Sequence, residues 1–284
     1  MSVLSAGLMP RASIQNARPA LRRLPTRPNR FVPAVVRRLL PLLFKLEGLQ
    51  RHREDAAARL AQAFSAQQNG DCNLLIAFRH PSTRDPLVLA DLFWNHVPRT
   101  ANRLDLPLPR PAGLRFLYDR GIPIWAGPLI GWLLQRCGGI AIHRGRLDRP
   151  ALAQACAALV QGRFPLVVAP EGATNNLSGE MAPLEPGVAQ LAFWAADELD
   201  KSDDPRRLEV LPIGIHYSWR KQNWIALNAR LLALENHLNI QPAEGSAPDD
   251  RTAQQNRLIQ IGLHLMQALE QLERLKTDIN QPLH

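Results

Sequence analysis

The residues with the greatest chemical reach sit in one short stretch, NLLIAFRHPSTRDPLVLADLF (residues 73–93). An apolar run stops at His80, an aspartate follows five positions on at Asp85, and a second apolar run begins. An imidazole next to a carboxylate is a general-base pair. The carboxylate fixes the tautomer and steadies the imidazolium, while the far ring nitrogen takes a proton from a nucleophile. The same residues also read as a plain loop and helix start. Pro81 pushes His80 towards extended backbone, and Asp85 before Pro86 fits an N-cap followed by proline at the first helical position. With eight histidines in 284 residues, an H-x4-D pair carries little weight until other residues converge on it.

The elements that must position the pair follow from hydrophobic patterning. Short apolar runs predict strands over 74–78, 114–118, 139–143, 165–169 and 208–216, and helical periodicity predicts helices over 86–95, 123–137, 149–161 and 187–199. A helical region over about 32–67 precedes them. A helix over 250–277 follows, with Leu258, Ile261, Leu265, Leu269 and Leu272 on one stripe. Residues 202–207 and 241–250 read as loops. The alternation predicts an α/β fold, a largely parallel central sheet flanked by helices, with a basic amphipathic helical region at its N-terminal side. The expected organisation is a flexible basic arm over 1–30, an amphipathic membrane-associating region over 31–70, and an α/β domain with a C-terminal helix over 71–284. Ligands of such sheets bind at the carboxyl ends of the strands. There the sequence places RHPSTRD, HRGR, PEGATNNLSG and, with the last strand, VLPIGIHY.

Charge is unevenly distributed. The net charge is +9, yet residues 1–46 hold nine basic side chains and no acidic one, and the rest of the chain balances at 25 of each sign. A basic segment of this kind attracts polyanions, whether nucleic acid or an anionic bilayer; Arg-rich, acid-free N-termini also occur in organelle transit peptides. FVPAVVRRLLPLLFKLEGLQ favours the bilayer, because Val32, Val35, Val36, Leu39, Leu40, Leu43, Leu46 and Leu49 fall mostly at helical spacing and Arg37, Arg38 and Lys45 interrupt them. A core helix fits the same pattern. No apolar run is long enough to span, so the expectation is peripheral association with the cytoplasmic face of a membrane. Cys72, Cys137 and Cys156 match neither a metal nor a disulfide spacing and read as reduced thiols. Nothing in the sequence indicates a metal or a tightly held cofactor. Aromatic content is 6% and no nucleic-acid motif is present, which argues against a nucleic-acid module.

Four segments in order resemble the glycerolipid acyltransferase family, whose bacterial type is 1-acylglycerol-3-phosphate acyltransferase. RHPSTRDPLVL is similar to the family's H-x4-D block. GIPIWAGPLIGWLLQRCGGIAIHRG is similar to the second block, ending at Arg144; VAPEGATNN to the third; and VLPIGI, with Pro212, to the fourth. The resemblance covers residues 73–216. It implies His80 as general base with Asp85 behind it, Arg144 as a phosphate contact, and Glu171 and Gly172 as the acceptor-binding pair. It also implies an acyl-CoA or acyl-carrier-protein donor as co-substrate and a lysophospholipid acceptor. The third block departs from the family pattern: Ala173 and Thr174 stand where the family has Thr and Arg, so the usual anion contact is missing. Arg84, Arg144 or Arg146 are the candidates to replace it, and an amino lipid or glycolipid acceptor stays open. A serine lipid hydrolase is disfavoured because no G-x-S-x-G elbow exists. Trp125 and Trp132 suit an acyl groove, a bilayer contact or core packing alike. Strand alternation points His143 away from the face of Arg144, and His216 reads as a core histidine.

Overall fold

The computed structural model describes residues 21, 24–50, 55–106, 108, 113–145, 147–221, 223–241 and 250–273. The chain divides into two compact units, Met1–Tyr217 and Ser218–His284.

The first unit is built on a five-stranded, all-parallel sheet: β1 (Cys72–Phe78), β2 (Arg115–Asp119), β3 (Gly139–Ile142), β4 (Leu166–Val168) and β5 (Arg207–Ile213), in the order β3-β2-β4-β1-β5. This is the predicted α/β sheet. β1 shows why its sequence is apolar throughout. Leu74, Ile76 and Phe78 face one core and Leu75 faces the other, as alternation across a sheet covered on both faces requires. The first core is closed by α1 (Phe31–Leu46), α2 (Ala57–Asn69), α3 (Asp85–Asp91) and α4 (Val97–Arg103), through Leu40, Leu60, Phe64, Leu89 and Val97. A π-helical turn over Leu92–His96 joins α3 to α4 and supplies Phe93, which stacks on Phe64 at 5.8 Å. The second core is closed by α7 (Arg149–Gln161) and α8 (Gly187–Lys201), through Ala155, Leu159, Leu191 and Ala195. β5 lies at the sheet edge, where Pro212 removes no hydrogen bond that a further strand would need.

Two predicted helices are broken. The region expected as continuous over 32–67 ends at Leu46 and resumes at Ala57. Gly48, at φ 64°, donates its amide to Lys45 O, and Leu49 donates to Phe44 O, the two bonds of a Schellman stop. The helix expected over 123–137 is α5 (Ile122–Ala126) and α6 (Pro128–Arg136), split at Gly127, φ 90°. There a residue in a glycine-only conformation precedes a proline that opens the next helix. Residues 24–30 fall within the segment expected as a loose arm. Here they run along α6 and β3: the amides of Arg27 and Asn29 donate to Gln135 O and Arg136 O, and the Thr26 hydroxyl donates to Gly139 O.

The second unit contains α9 (Trp224–Leu238), which the sequence reading leaves unassigned, and α10 (Arg251–Glu273). Asn223 caps α9 by accepting from the Ala226 amide at 3.0 Å. The two helices meet at a bidentate pair, Arg257 Nε and Nη2 to the Glu235 carboxylate at 2.7 and 2.6 Å, with Arg257 Nη1 on Asn228 and Gln254. The stripe expected on α10 is corrected here. Ile261 is buried, but Leu258, Leu265 and Leu269 are exposed, and the inward line is Gln254, Arg257 and Ile261. Leu272 and the loop over 242–249 lie outside what is described.

Candidate active site

The carboxyl ends of β1, β4 and β5 are neighbours in the sheet, so the loops that leave them converge. His80 lies two residues beyond β1. Its Nδ1 is 2.7 Å from Asp85 Oδ2. Since an ionised carboxylate only accepts, the imidazole proton sits on Nδ1 and Nε2 carries the free lone pair. Asp85 is fully buried, whereas the His80 side chain is 21% exposed. The base thus meets solvent while its partner does not. The Phe78 ring packs edge-on against the imidazole at 5.4 Å.

The predicted N-cap role of Asp85 is not what the chain does. α3 begins with no side-chain cap at Arg84. Instead Ser82 Oγ accepts from the Arg84 amide at 3.2 Å and Asp85 Oδ2 reaches back to the Ser82 amide at 3.1 Å. The two bonds close the turn that leads into α3, and the carboxylate holds the loop that carries His80 rather than the helix end. The remaining oxygen, Oδ1, accepts from the Tyr217 hydroxyl at 2.6 Å. Burial, with the bond to Asp85 behind it, pushes the Tyr217 phenol well above its ordinary range, so it stays a donor.

Glu171 follows β4 and is 5% exposed. Its Oε1 accepts from the His80 amide at 2.8 Å; its Oε2 accepts from the Ala182 amide at 2.9 Å and Asn175 Nδ2 at 3.3 Å. The carboxylate therefore ties the histidine's backbone to the strap over 171–182. Gly172 sits at φ 67°, a backbone conformation that calls for glycine, with the flexible end of the Glu185 side chain beside it. Arg79 secures the same strap. Its guanidinium donates to the carbonyls of Ser178, Leu177 and Glu180, and its amide donates to Ile213 O at 3.0 Å.

Among the predicted site residues, His80, Asp85, Glu171 and Gly172 are thus brought together. The arginines are not part of that cluster's hydrogen bonding. Arg84 Nε pairs with Glu47 at 3.0 Å, and Arg144 lies 3.9 Å from Asp119 Oδ2, both on the surface. Arg144 follows β3, three strands from β1, a sideways offset of about 14 Å at ordinary strand spacing. Asp148 holds its loop, capping α7 while bonding the His143 amide and Arg120. Arg146 lies outside the described residues. His216 is exposed rather than in the core, with Nδ1 3.1 Å from Ser178 O. The three cysteines are free thiols.

Sequence reasoning missed Arg79 and Tyr217. The signal for Tyr217 was its place just past the strand beside β1. The signal for Arg79 was a cation where β1 ends, with a polar loop to hold.

A family model described as Acyltransferase matches residues 62–216, more than half of the chain. The match runs from within α2 past the end of β5 and encloses the four segments read from the sequence. No curated protein matches the chain.

Proposed function

The chain belongs to the acyltransferase family of the glycerolipid type, and on that premise we propose that it moves a fatty acyl group from acyl-CoA or acyl-carrier protein to the hydroxyl of a lysophospholipid such as 1-acylglycerol-3-phosphate. The observation that carries this reading is the His80–Asp85 contact at the carboxyl edge of the sheet. A thioester is already activated, so the reaction is limited by the weak nucleophilicity of the acceptor alcohol. In the proposed step His80 Nε2 takes the hydroxyl proton as the oxygen attacks the thioester carbonyl. The tetrahedral intermediate collapses, the C–S bond breaks, and the imidazolium returns its proton to the leaving thiolate. Asp85 keeps Nδ1 protonated throughout and stabilises the transient positive charge.

Arg144 and Arg84 are the proposed acceptor contacts. Both are exposed, and their carboxylate partners hold them weakly enough for a phosphate to compete. A second reading, a non-phosphate lipid acceptor, rests on one observation: Thr174 stands where an arginine would serve the anion. Association with an anionic membrane surface is proposed from the outward stripe of α1. No helix of the described residues is long and apolar enough to cross a membrane.

The test is transfer of a labelled acyl group from both thioester carriers to a panel of lysolipids. His80→Ala should lower the rate by about 10²–10⁴-fold with the circular dichroism unchanged; full activity would refute the assignment. Arg144→Ala should raise KM for phosphate-bearing acceptors alone, and an equal effect on neutral ones would favour the second reading.

A further inference from the structure

Asp85 has three partners, and two of them, the His80 imidazole and the Ser82 amide, share one oxygen. The third, Tyr217, approaches alone from the far end of β5, 132 residues away, and takes the other oxygen at 2.6 Å. It lies one residue past the segment that the family model matches. We propose that Tyr217 is a positioning residue for the acyl-transfer base: its hydroxyl anchors Asp85 Oδ1, holds the carboxylate plane towards His80 Nδ1, and sets how strongly that carboxylate draws on the imidazole proton.

The argument is geometric. Asp85 is fully buried with the phenol in place, and without that donor the carboxylate is held through Oδ2 alone, by the His80 imidazole and the Ser82 amide. A donor on Oδ1 also draws negative charge away from Oδ2, the oxygen that faces the histidine. Removing the donor concentrates charge on Oδ2 and favours the imidazolium; strengthening it does the reverse. The other charged groups nearby are engaged elsewhere. The Glu171 carboxylate accepts the His80 amide, the Arg79 guanidinium faces the strap carbonyls, Arg84 pairs with Glu47, and Glu185 stands against Gly172. The phenol itself stays protonated, because burial holds its ionisation far above neutral pH.

This inference deepens the proposed transfer reaction, and its test separates the two. The chain has two tyrosines, Tyr118 and Tyr217. The Tyr118 hydroxyl is buried without a partner, so Tyr118→Phe breaks no bond and leaves one tyrosine to label. In that background the His80 imidazole is titrated by NMR, its signal assigned by its loss in His80→Ala. Three chains are compared: unlabelled, carrying Tyr217→Phe, and grown with 3,5-difluorotyrosine, a stronger donor. The expected result is a His80 midpoint higher by about half a pH unit or more in Tyr217→Phe and lower in the fluorinated chain. The acid limb of acyl transfer should follow each midpoint. Coincident midpoints, or shifts of the same sign in both, would overturn the proposal, since a phenol that only packs moves neither. If Tyr217→Phe does not fold, the fluorinated chain decides alone. Opposed shifts with no transfer in any chain would count against the transfer reaction and leave the role of the phenol standing.

Discussion

Both oxygens of Glu171 are occupied by donors from three places, the His80 and Ala182 amides and the Asn175 side chain. Glu171→Gln would turn an NH2 group towards one of those donors whichever way the amide is placed. The expected cost is about 1–3 kcal/mol for the buried donor left unpaired, read as a lowered urea midpoint. Transfer should fall as well, because the His80 backbone loses its anchor; unaltered stability would show that the carboxylate does not hold the strap. The sequence marks this glutamate by its PEG context but assigns it to the acceptor, since local pattern does not reveal a bond spanning 91 residues. His80 and Asp85 were legible because both lie within one loop, and Tyr217 was not because it arrives from another strand. Burial gives a second residue-scale prediction. It pushes the Tyr118 phenol up to about 12 and the Cys137 thiol up to about 11, from ordinary values of 10.0 and 9.0. Both groups are neutral in either state at pH 7, so this contribution to stability is fully present there. Above pH 9 the unfolded chain releases protons that the native chain keeps, so the contribution is lost as pH rises through 11 to 12. Alkaline unfolding should therefore coincide with tyrosinate absorbance, and tyrosinate appearing near pH 10 in a still-folded protein would contradict it.

The central strands were legible because a parallel strand covered on both faces must be apolar along its whole length, as Leu74–Ile76 and Leu166–Val168 are; β5, at the edge and carrying Arg207 and Glu209, was legible from its apolar residues Leu208, Val210, Leu211 and Ile213. The break at Gly127 was not, because apolar residues continue across it while the helix does not; the break at Gly48 was not, because the predicted helical region runs across the largely polar stretch over 47–56. α9 was missed for the opposite reason: it buries little, Leu231 and Glu235, and shows no clean stripe. The strap over 171–182 has no regular structure, so its place depends on side chains from elsewhere, above all Arg79. Three charge-assisted bonds to carbonyls join it to the end of β1. Arg79→Gln keeps a polar side chain but not the fork. Losing about 1.4 kcal/mol of those bonds would raise the open population of the strap about tenfold. Limited proteolysis should then cut within 175–182 about ten times faster, with helix content unchanged. Equal cutting rates would mean that Glu171 and Ser178 suffice to hold it. Ser178 Oγ accepts the Tyr217 amide at 2.5 Å, so the strap, the base and the phenol form one connected cluster, and loosening Arg79 should lower transfer too.

At the scale of the molecule the uneven charge and the apolar surface coincide. α1 buries Leu40 and Phe44 on one side and leaves Phe31, Val35, Leu39, Leu42 and Leu46 between 46% and 72% exposed on the other. Their spacing of four, four, three and four places them in a single outward stripe. α1 touches α6, where Leu129 and Trp132 are also exposed, and the linker between α5 and α6 follows Trp125, 70% exposed. Arg38 and Lys45 flank the stripe, and no acidic side chain occurs before Glu47. An apolar stripe beside unopposed basic charge suits an anionic bilayer, where each cation near the surface contributes about 1 kcal/mol. Truncating α1 would be an ambiguous test, because Leu40 and Phe44 belong to the core. Leu39→Asp with Leu42→Asp avoids that problem, since both side chains point away from it. If each leucine enters the lipid, the pair forfeits about 3–6 kcal/mol of burial, a loss of more than a hundredfold in partitioning to vesicles. Arg38→Gln with Lys45→Gln should instead weaken binding to anionic vesicles by about tenfold or more at low salt and leave neutral vesicles unaffected. Sedimentation with vesicles of both compositions, across a salt series, separates the two contributions. Partitioning that survives the leucine pair with the thermal midpoint intact would remove α1 from the membrane contact and leave its stripe to another partner.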